Sequence, residues 1–166
     1  MHLETERLRL RPLAEADVAV VAQIWTDPLV THYMGGPRKF EEVCESLAQD
    51  LRIEPPPRFD LWPVVEKASG QIVGHCGIID KVVDDQPEFE LVYVFAKSVW
   101  GQGYASEIAA ALKACAFQQL GLARLVALVD PGNSASERVA VKVGMHHEKD
   151  THRPGGKIVR VYVAQA

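Results

Sequence analysis

The sequence predicts a mixed α/β fold in one domain of 166 residues. Stretches with helical spacing of apolar residues alternate with strand-like stretches, and no internal repeat or linker interrupts them. The length suits a single domain with a sizeable core. Hydrophobic residues make up 48% of the chain and charged residues 24%, which is the usual balance of globular proteins. We therefore expect residues 1–166 to form one domain.

The first half of the chain is predicted to contain one strand, two helices and an antiparallel meander. RLRLR at 7–11 alternates in the way of a half-buried strand. Prolines at 55–57 stop the second helix, because proline lacks the backbone donor and clashes with the preceding turn. Turn residues at 68–71 and 84–87 separate the later strands. The predicted elements are strand 7–11, helices 14–25 and 38–52, and strands 61–67, 72–80 and 88–95.

The second half is predicted to alternate helices with strands. Gly121 and Gly144 are natural helix stops, and Ser134 with Glu137 fits a capping box at the start of the last helix. A closing hairpin is expected around Pro154. The predicted elements are helix 104–120, strand 123–129, helix 135–143, and strands 145–151 and 157–163.

Composition and charge exclude several kinds of partner. A net charge of −4 and a pI of about 5.9 argue against a nucleic-acid surface. No apolar run approaches the roughly 20 residues that span a membrane, and the charged N-terminus does not resemble a signal peptide. Cys44, Cys76 and Cys115 lie far apart without a C-x-x-C pair, which argues against a disulfide framework and against a metal site. We expect a cytoplasmic protein without a metal cofactor.

The stretch WGQGYASE at 100–107 is the first candidate for chemistry. Small residues at 101, 103 and 105 allow backbone N–H groups to converge just before a helix N-terminus, an arrangement that favours phosphate. A P-loop would need Gly-Lys-Ser/Thr, and a dinucleotide loop would have glycine where Ser106 stands. The pyrophosphate of coenzyme A and a simple strand-to-helix turn both remain open from these residues alone.

Four motifs, in order, resemble the GCN5-related N-acetyltransferase (GNAT) family over nearly the whole chain. They are TERLRLRPL at 5–13, ELVY at 90–93, WGQGYASE at 100–107 and NSASERVAVKVGM at 133–145. Within the family they are most similar to the branch that acetylates the N-terminal alanine of ribosomal proteins. The resemblance implies a mostly antiparallel central sheet, flanked by helices and splayed between the fourth and fifth predicted strands. It also implies an N-acetyltransferase that moves an acetyl group from acetyl-CoA to a primary amine by direct transfer in a ternary complex.

The resemblance assigns residues to the coenzyme. Backbone groups of the glycine loop would bind the pyrophosphate, strand 88–95 would hold the pantetheine arm, and Asn133 would bond its amides, unless Asn133 is only a turn residue. The residues implied to bind acetyl-CoA are Val92, Tyr93, Val94, Gly101, Gln102, Gly103, Tyr104, Ala105, Ser106, Asn133 and Ser136.

The resemblance also suggests catalytic residues. Glu90 is the candidate base and would act through a water. Burial could raise the pKa of the Glu90 carboxyl towards the working range. The alternative is that Glu90 is only a structural residue of the strand. Glu88 lies on the same face of the strand, so it could share that role or contact the substrate. Ser136 could hydrogen-bond the leaving thiolate, or could simply serve the start of its helix. Tyr93 is a second possible proton donor, with a packed aromatic as its alternative.

Other residues are assigned to the acceptor site or interpreted as packing residues. His32 and Tyr33, between the first two helices, would line the acceptor site. The early helices, the 54–60 loop and the closing hairpin would complete it. His75 lies in mid-strand without an orienting acid nearby in the sequence and is interpreted as a packed residue.

Departures from the family pattern keep other functions open. Trp100 stands where the wider family has a polar residue, Val92 replaces a glycine, and Met145 replaces a phenylalanine. Ala140 occupies the position of the tyrosine acid found in many members, so that role does not transfer. A non-catalytic CoA-binding or protein-interaction module is therefore the alternative, and a nicotinamide oxidoreductase is disfavoured by the strand order. Peptide N-termini and small-molecule amines both remain acceptors, and a homodimer remains one possible oligomeric state.

Overall fold

The computed structural model describes residues 2–153 and 155–166. Short 3-10 turns at Glu15–Asp17, His32–Met34 and Lys97–Val99 join the main elements. The helices are α1 (Val18–Thr26), α2 (Phe40–Asp50), α3 (Tyr104–Gln118) and α4 (Ser134–Lys142). The strands are β1 (Leu3–Glu4), β2 (Leu8–Leu10), β3 (Asp60–Glu66), β4 (Ile72–Val83), β5 (Gln86–Phe95), β6 (Arg124–Val129), β7 (His146–His152) and β8 (Ile158–Gln165).

One eight-stranded sheet organises the molecule, in the order β1-β2-β3-β4-β5-β6-β8-β7. Neighbouring strands are antiparallel except β5 and β6, which are parallel and pair at Glu90 and Val126. Because β6 pairs with β5 at this one register, the two strands separate on either side of it. This confirms the predicted fold class, including the splay, which falls between β5 and β6.

The main core lies between the sheet and α3. Helix α3 turns one apolar stripe inward, because its apolar residues recur at helical spacing. These buried residues are Tyr104, Ile108, Leu112, Cys115 and Ala116, as predicted. Helix α4 packs beside α3, while α1 packs against α2 and β4. The three cysteines are free thiols.

Several boundaries differ from the prediction. Strand β1 was not expected, and the first helix begins with a 3-10 turn instead of at residue 14. The turn predicted at 84–87 is shorter, because Asp84 and Asp85 both take a left-handed conformation, with φ of 50° and 60°. A two-residue turn of this kind matches the twist of a hairpin, so Gln86 and Pro87 belong to β5. Pro154, the predicted centre of the closing hairpin, lies outside the described residues.

Across residues 2–153 and 155–166, no helix is both long and apolar enough to cross a membrane.

Candidate active site

The splay between β5 and β6 opens a cleft in the middle of the sheet. Residues 90–93 of β5 form one wall and residues 127–129 of β6 the other. The start of α4 closes one side through Asn133 and Ser136. Tyr33 and Met34, from the connection between α1 and α2, line it as well, with Asp130 and Arg153. The cleft therefore gathers side chains from five separate segments of the chain.

Glu90 is one of two acids that line this cleft, with Asp130, and it is the more deeply buried. Glu90 is 7% exposed, and its Oε2 lies 3.9 Å from Nζ of Lys81. Burial raises the pKa of Glu90 above its ordinary value, because a charged carboxylate loses hydration there, while the charges of Lys81 and Arg153 oppose the shift. A carboxyl with a raised pKa next to a cleft is suited to accepting a proton near neutral pH.

Tyr93 and Ser136 form a hydroxyl pair on the wall of the same cleft. The Tyr93 hydroxyl donates to the backbone carbonyl of Ser136 over 3.0 Å and lies 2.9 Å from the Ser136 Oγ. Burial raises the pKa of Tyr93 to about 12, although the hydrogen bond to Ser136 opposes this. Tyr93 thus stays protonated at neutral pH, beside a second hydroxyl that can exchange a proton with it.

Asn133 caps α4, which corrects the predicted capping box. The Asn133 Oδ1 accepts a hydrogen bond of 3.1 Å from the Ser136 N–H, and Ser134 is the first helical residue instead of the cap. Asparagine and serine are about equally favoured as N-caps, so the cap is decided by position: Asn133, with φ of −91° and ψ of 69°, is the last residue outside the helix. This cap fixes the turn that presents Ser136 to Tyr93.

The glycine loop follows the C-terminal end of β5. Gly101 and Gly103 have φ of 77° and 82°, which L side chains rarely adopt. Gly103 is the N-cap of α3 and provides no side-chain cap, so the first N–H groups of α3 face outward without an intrahelical acceptor. A side chain at Gly101 would meet no atom within 4 Å, which shows that the outer face of the loop is open. Backbone donors, the helix dipole and open space together fit a phosphate group.

The N-terminal segment holds this loop in place. Glu107, in the first turn of α3, accepts hydrogen bonds from the Thr5 hydroxyl, from the Arg7 N–H at 2.9 Å and from the Arg7 Nε at 2.7 Å. The Arg7 guanidinium also donates to the Gln102 carbonyl over 2.9 Å and lies over the Tyr104 ring. Burial alone would raise the pKa of Glu107, but these hydrogen bonds outweigh it and hold the pKa low.

The contacts of Glu107 with Thr5 and Arg7 were not predicted from the sequence. The signal was present, since residues 5–13 and 100–107 were two of the four motifs, but a sequence does not show which motifs touch. The structure brings these two together at the loop.

Trp100 has a structural explanation. Its indole Nε1 donates to the Phe95 carbonyl over 2.9 Å, which ties the loop to the end of β5, while half of the residue stays exposed. Tyr104, predicted to bind coenzyme through its backbone, is buried with its hydroxyl bonded to Glu66.

Of the three residues predicted to bind the acceptor substrate, only Tyr33 lines the cleft. Tyr33 lines the cleft, whereas His32 is exposed and stacks edge-on against the Tyr33 ring at 4.6 Å between centroids. Glu88 does not line the cleft, because Arg124 occupies its carboxylate at 2.9 Å and also binds Glu148. Glu88 is therefore held by Arg124 outside the lining of the cleft to which Glu90 belongs.

The remaining residues predicted to bind the coenzyme lie partly at the cleft and partly at the glycine loop. Val92 lines the cleft, whereas Val94 is buried away from it. Gln102, Ala105 and Ser106 belong to the loop and the first turn of α3. Arg153 and Asp130 line the cleft without having been predicted individually. Among residues 2–153 and 155–166, no cluster of three or more His, Cys, Asp or Glu could hold a metal ion.

Comparison with known proteins gives consistent results. Residues 7–146 match the family described as the acetyltransferase (GNAT) domain. The uncharacterized protein YkkB of Bacillus subtilis is 37% identical over 161 residues, which cover 96% of this chain and 93% of YkkB. An acetyltransferase structure from Agrobacterium tumefaciens superposes with a TM-score of 0.83 at 29% identity, covering 100% of this chain and 95% of that one.

One solved structure with coenzyme A shares the fold. It is an aminoglycoside acetyltransferase, AAC(6')-Ib, with a TM-score of 0.73 at 16% identity, covering 95% of this chain and 94% of that one. At this identity the likeness shows the fold alone.

Proposed function

Because the chain belongs to the GNAT family of acetyltransferases, we propose that it transfers the acetyl group of acetyl-CoA directly to a primary amine in a ternary complex. The observation that carries the proposal is the cleft between β5 and β6, where the buried Glu90 and the Tyr93–Ser136 pair line one space. A base for the amine and a proton source for the leaving thiolate are the two functions that this reaction needs.

The glycine loop would hold the pyrophosphate of acetyl-CoA. The backbone N–H groups at the start of α3 offer donors, and the positive end of the helix dipole favours the negative charge. The open outer face at Gly101 leaves room for the group. The wall of β5 at Val92 and Tyr93 would hold the pantetheine arm, so the thioester would lie near Glu90, Tyr93 and Ser136. Acetyl-CoA supplies the activated acetyl group.

Glu90 would deprotonate the attacking amine. An α-amino group has a pKa of about 8 and a lysine-type amine about 10, so most of the amine is protonated at neutral pH. The proton passes to the Glu90 carboxylate through a water, and the neutral nitrogen attacks the thioester carbonyl. As the C–N bond forms, the nitrogen releases its surplus proton to solvent, and the C–S bond breaks with its electron pair leaving on sulfur.

The Tyr93–Ser136 pair would return a proton to that sulfur. The Ser136 hydroxyl is the group that hydrogen-bonds the thiolate, and Tyr93 is the stronger acid behind it, joined at 2.9 Å. The sulfur leaves as the thiol of coenzyme A, and solvent restores the proton to the pair. Ala140 is fully buried and has no proton to give, so this pair would take the place of a donor at position 140.

The acceptor proposed first is a peptide or protein N-terminal amine, which rests on the four-motif resemblance to that branch. Tyr33, Met34 and Arg153 would contact it, since they line the cleft from outside the sheet. Small-molecule amines are the competing class of acceptor.

The deciding experiment measures thiol release from acetyl-CoA over a panel of amines and short peptides. Saturating acetyl-CoA should also raise the melting temperature, because a ligand that binds only the folded state stabilises it. Thiol release that depends on both substrates supports the proposal. Thermal stabilisation without transfer to any amine would favour a non-catalytic CoA-binding module instead, and absence of any shift would remove the coenzyme assignment.

A further inference from the structure

Arg153 is a basic side chain on the wall of the active-site cleft, which is also lined by the acids Glu90 and Asp130. It follows β7 directly, and its backbone N–H donates to the Lys157 carbonyl over 2.9 Å, so the turn into β8 fixes its position. The residue is half-buried. Because a guanidinium stays charged at every physiological pH, the cleft has a permanent positive charge on this wall.

Leu128 of β6 shows where the guanidinium lies. The Leu128 carbonyl accepts a hydrogen bond from Arg153 Nη2 over 3.5 Å, and the Leu128 N–H faces the Glu90 carboxyl closely enough to oppose the rise in its pKa. In an extended strand the N–H and the C=O of one residue point to the same side, which here is the gap between β6 and β5. The guanidinium and the Glu90 carboxyl are therefore near neighbours in the cleft.

No carboxylate in the part of the chain that the structure describes forms an ion pair with Arg153. Asp130, the second acid of the cleft, is bound by Lys157 at 2.7 Å instead. The contact of Arg153 with Leu128 is long, and its Nε is buried with no acceptor. Since a partly buried charge without a partner is costly, an anion supplied from outside the chain would stabilise this arrangement.

The end of the guanidinium is the part available to a ligand. The Nε atom is fully buried, so a ligand in the cleft does not reach it. In contrast, Nη1 is not among the buried unpaired atoms and has no hydrogen-bond partner among the described residues, so it reaches accessible space. Nη2 keeps one N–H besides the one directed at Leu128. Two such neighbouring N–H groups match the two oxygens of a carboxylate.

The acceptor is the expected source of the anion. The pantetheine arm of the coenzyme is neutral, and the pyrophosphate is assigned to the glycine loop. The acetyl group has no charge either. Of the molecules that meet in a ternary complex, the acceptor is therefore the one left to supply a carboxylate at Arg153.

We infer that Arg153 selects acceptors that have a carboxylate within a few covalent bonds of the amine, with the carboxylate at the end of the guanidinium and the amine beside Glu90. The inference rests on the proposed function, because it specifies the acceptor of the same cleft. Two kinds of molecule share this chemistry. A free amino acid offers its α-carboxylate, and a peptide offers an acidic side chain on its first residue.

A purely supporting role of Arg153 predicts a different pattern. The charge of Arg153 opposes the rise in the pKa of Glu90, so its loss would act through Glu90 on every acceptor alike. Selection of a carboxylate acts only on acceptors that have one. Ligands that differ in one carboxylate therefore separate the two roles.

Calorimetry on the full chain, with and without saturating coenzyme A, compares two matched pairs at about pH 6.5, where their amines are charged. Alanine and alaninamide differ in the α-carboxylate, and the amidated dipeptides aspartyl-alanine and asparaginyl-alanine differ in the side-chain carboxylate. In at least one pair the acid should bind roughly tenfold more tightly than its amide, the gain expected from charge-assisted hydrogen bonds. The pair that shows the preference identifies the source. Equal binding within both pairs, or no binding of any of the four, would overturn the inference.

Variants locate the preference. Arg153→Gln should bring each acid within roughly twofold of its amide, and dividing the two ratios removes any difference in the basicity of the amines. Arg153→Lys keeps the charge without the planar fork and should keep part of the preference. Arg138→Gln, the same change at an exposed position of α4 outside the lining of the cleft, should keep all of it.

An equal loss of affinity for acids and amides in Arg153→Gln would assign Arg153 to the support of Glu90 and overturn the inference. If that variant does not fold, Arg153→Lys and the pairs on the unchanged chain decide. No acetyl transfer is measured in these experiments. Transfer to amines without any preference for acids would remove this inference alone, whereas selective binding without transfer would remove the proposed function alone.

Discussion

The glycine loop and the cleft between β5 and β6 are built from different parts of the chain. At the loop, the groups available to a ligand are backbone N–H groups, exposed because Gly101 and Gly103 take positive φ. In the cleft, they are the side chains of Glu90, Tyr93 and Ser136, brought together from a strand and a helix. Side chains at the loop serve instead as supports, since Arg7 and Trp100 bind its carbonyls and its neighbouring strand.

Because of this difference, substitutions in the two regions should impair two different properties, coenzyme affinity and turnover. A substitution at the loop changes backbone conformation or access and should impair coenzyme affinity. A substitution in the cleft removes a proton acceptor or donor and should impair turnover while coenzyme affinity is kept. Single substitutions in each region can therefore separate the two effects.

Gly103→Val should cause the largest loss. Valine strongly disfavours a φ of 82°, and its side chain would stand at the N-terminus of α3, beside Arg7. Calorimetry should show acetyl-CoA affinity reduced roughly 100-fold or more. Gly70→Val is the matched control, because Gly70 has a φ of 71° in a distant hairpin with open space around it. Undiminished affinity in Gly103→Val would rule out the loop as the pyrophosphate site.

Glu90→Gln should lower turnover roughly 10²- to 10⁴-fold, the range for loss of a general base, with acetyl-CoA affinity nearly unchanged. Steady-state kinetics and calorimetry on the same preparation measure the two quantities. Glu88→Gln tests the alternative glutamate, and we expect only a small effect because Glu88 is bound to Arg124 outside the cleft. A larger loss in Glu88→Gln than in Glu90→Gln would exchange their roles.

The pH profile gives a second measure of Glu90. A base works in its deprotonated form, so turnover should rise with pH as Glu90 loses its proton. Because burial raises its pKa, this rise should lie above the ordinary glutamate value of 4.5. Glu90→Gln should remove that limb of the profile. A rise that persists unchanged in Glu90→Gln would belong to the amine substrate alone.

The same difference explains what the sequence could predict. The glycine loop was recognisable because the function proposed for it depends on local spacing, with small residues at 101, 103 and 105. Apart from β1, the order of elements followed from periodicity, and the splay was implied by the family resemblance that the motifs carry. The pairing of Tyr93 with Ser136, and of Arg7 with Glu107, depends on tertiary contacts between residues 43 and 100 positions apart. Glu88 and Glu90 share a face of the strand in the sequence pattern, and the tertiary structure is what binds Glu88 to Arg124 and places Glu90 at the cleft.

Tyr93→Phe should lower turnover by a smaller factor, roughly tenfold, because the Ser136 hydroxyl remains to bond the thiolate. Ser136→Ala should act similarly, and the double variant should lose little more than the stronger single one if the two hydroxyls act as a unit. Since the pKa of Tyr93 is about 12, neither variant should shift a neutral-range limb of the pH profile. Fully additive losses would contradict a shared proton path and indicate two separate contacts.

Arg7→Ala should give the smallest effect and tests the support of the loop. Its ion pair with Glu107 is partly exposed, with 43% of the Arg7 side chain accessible, and such pairs contribute little. We expect the KM for acetyl-CoA to rise roughly two- to fivefold with kcat unchanged. Arg9→Ala is the matched control, because Arg9 forms a similarly exposed pair with Glu4 that does not touch the loop. A fall in kcat without a change in KM would mean that Arg7 acts on the cleft, and the two regions would then not be separable in the way proposed.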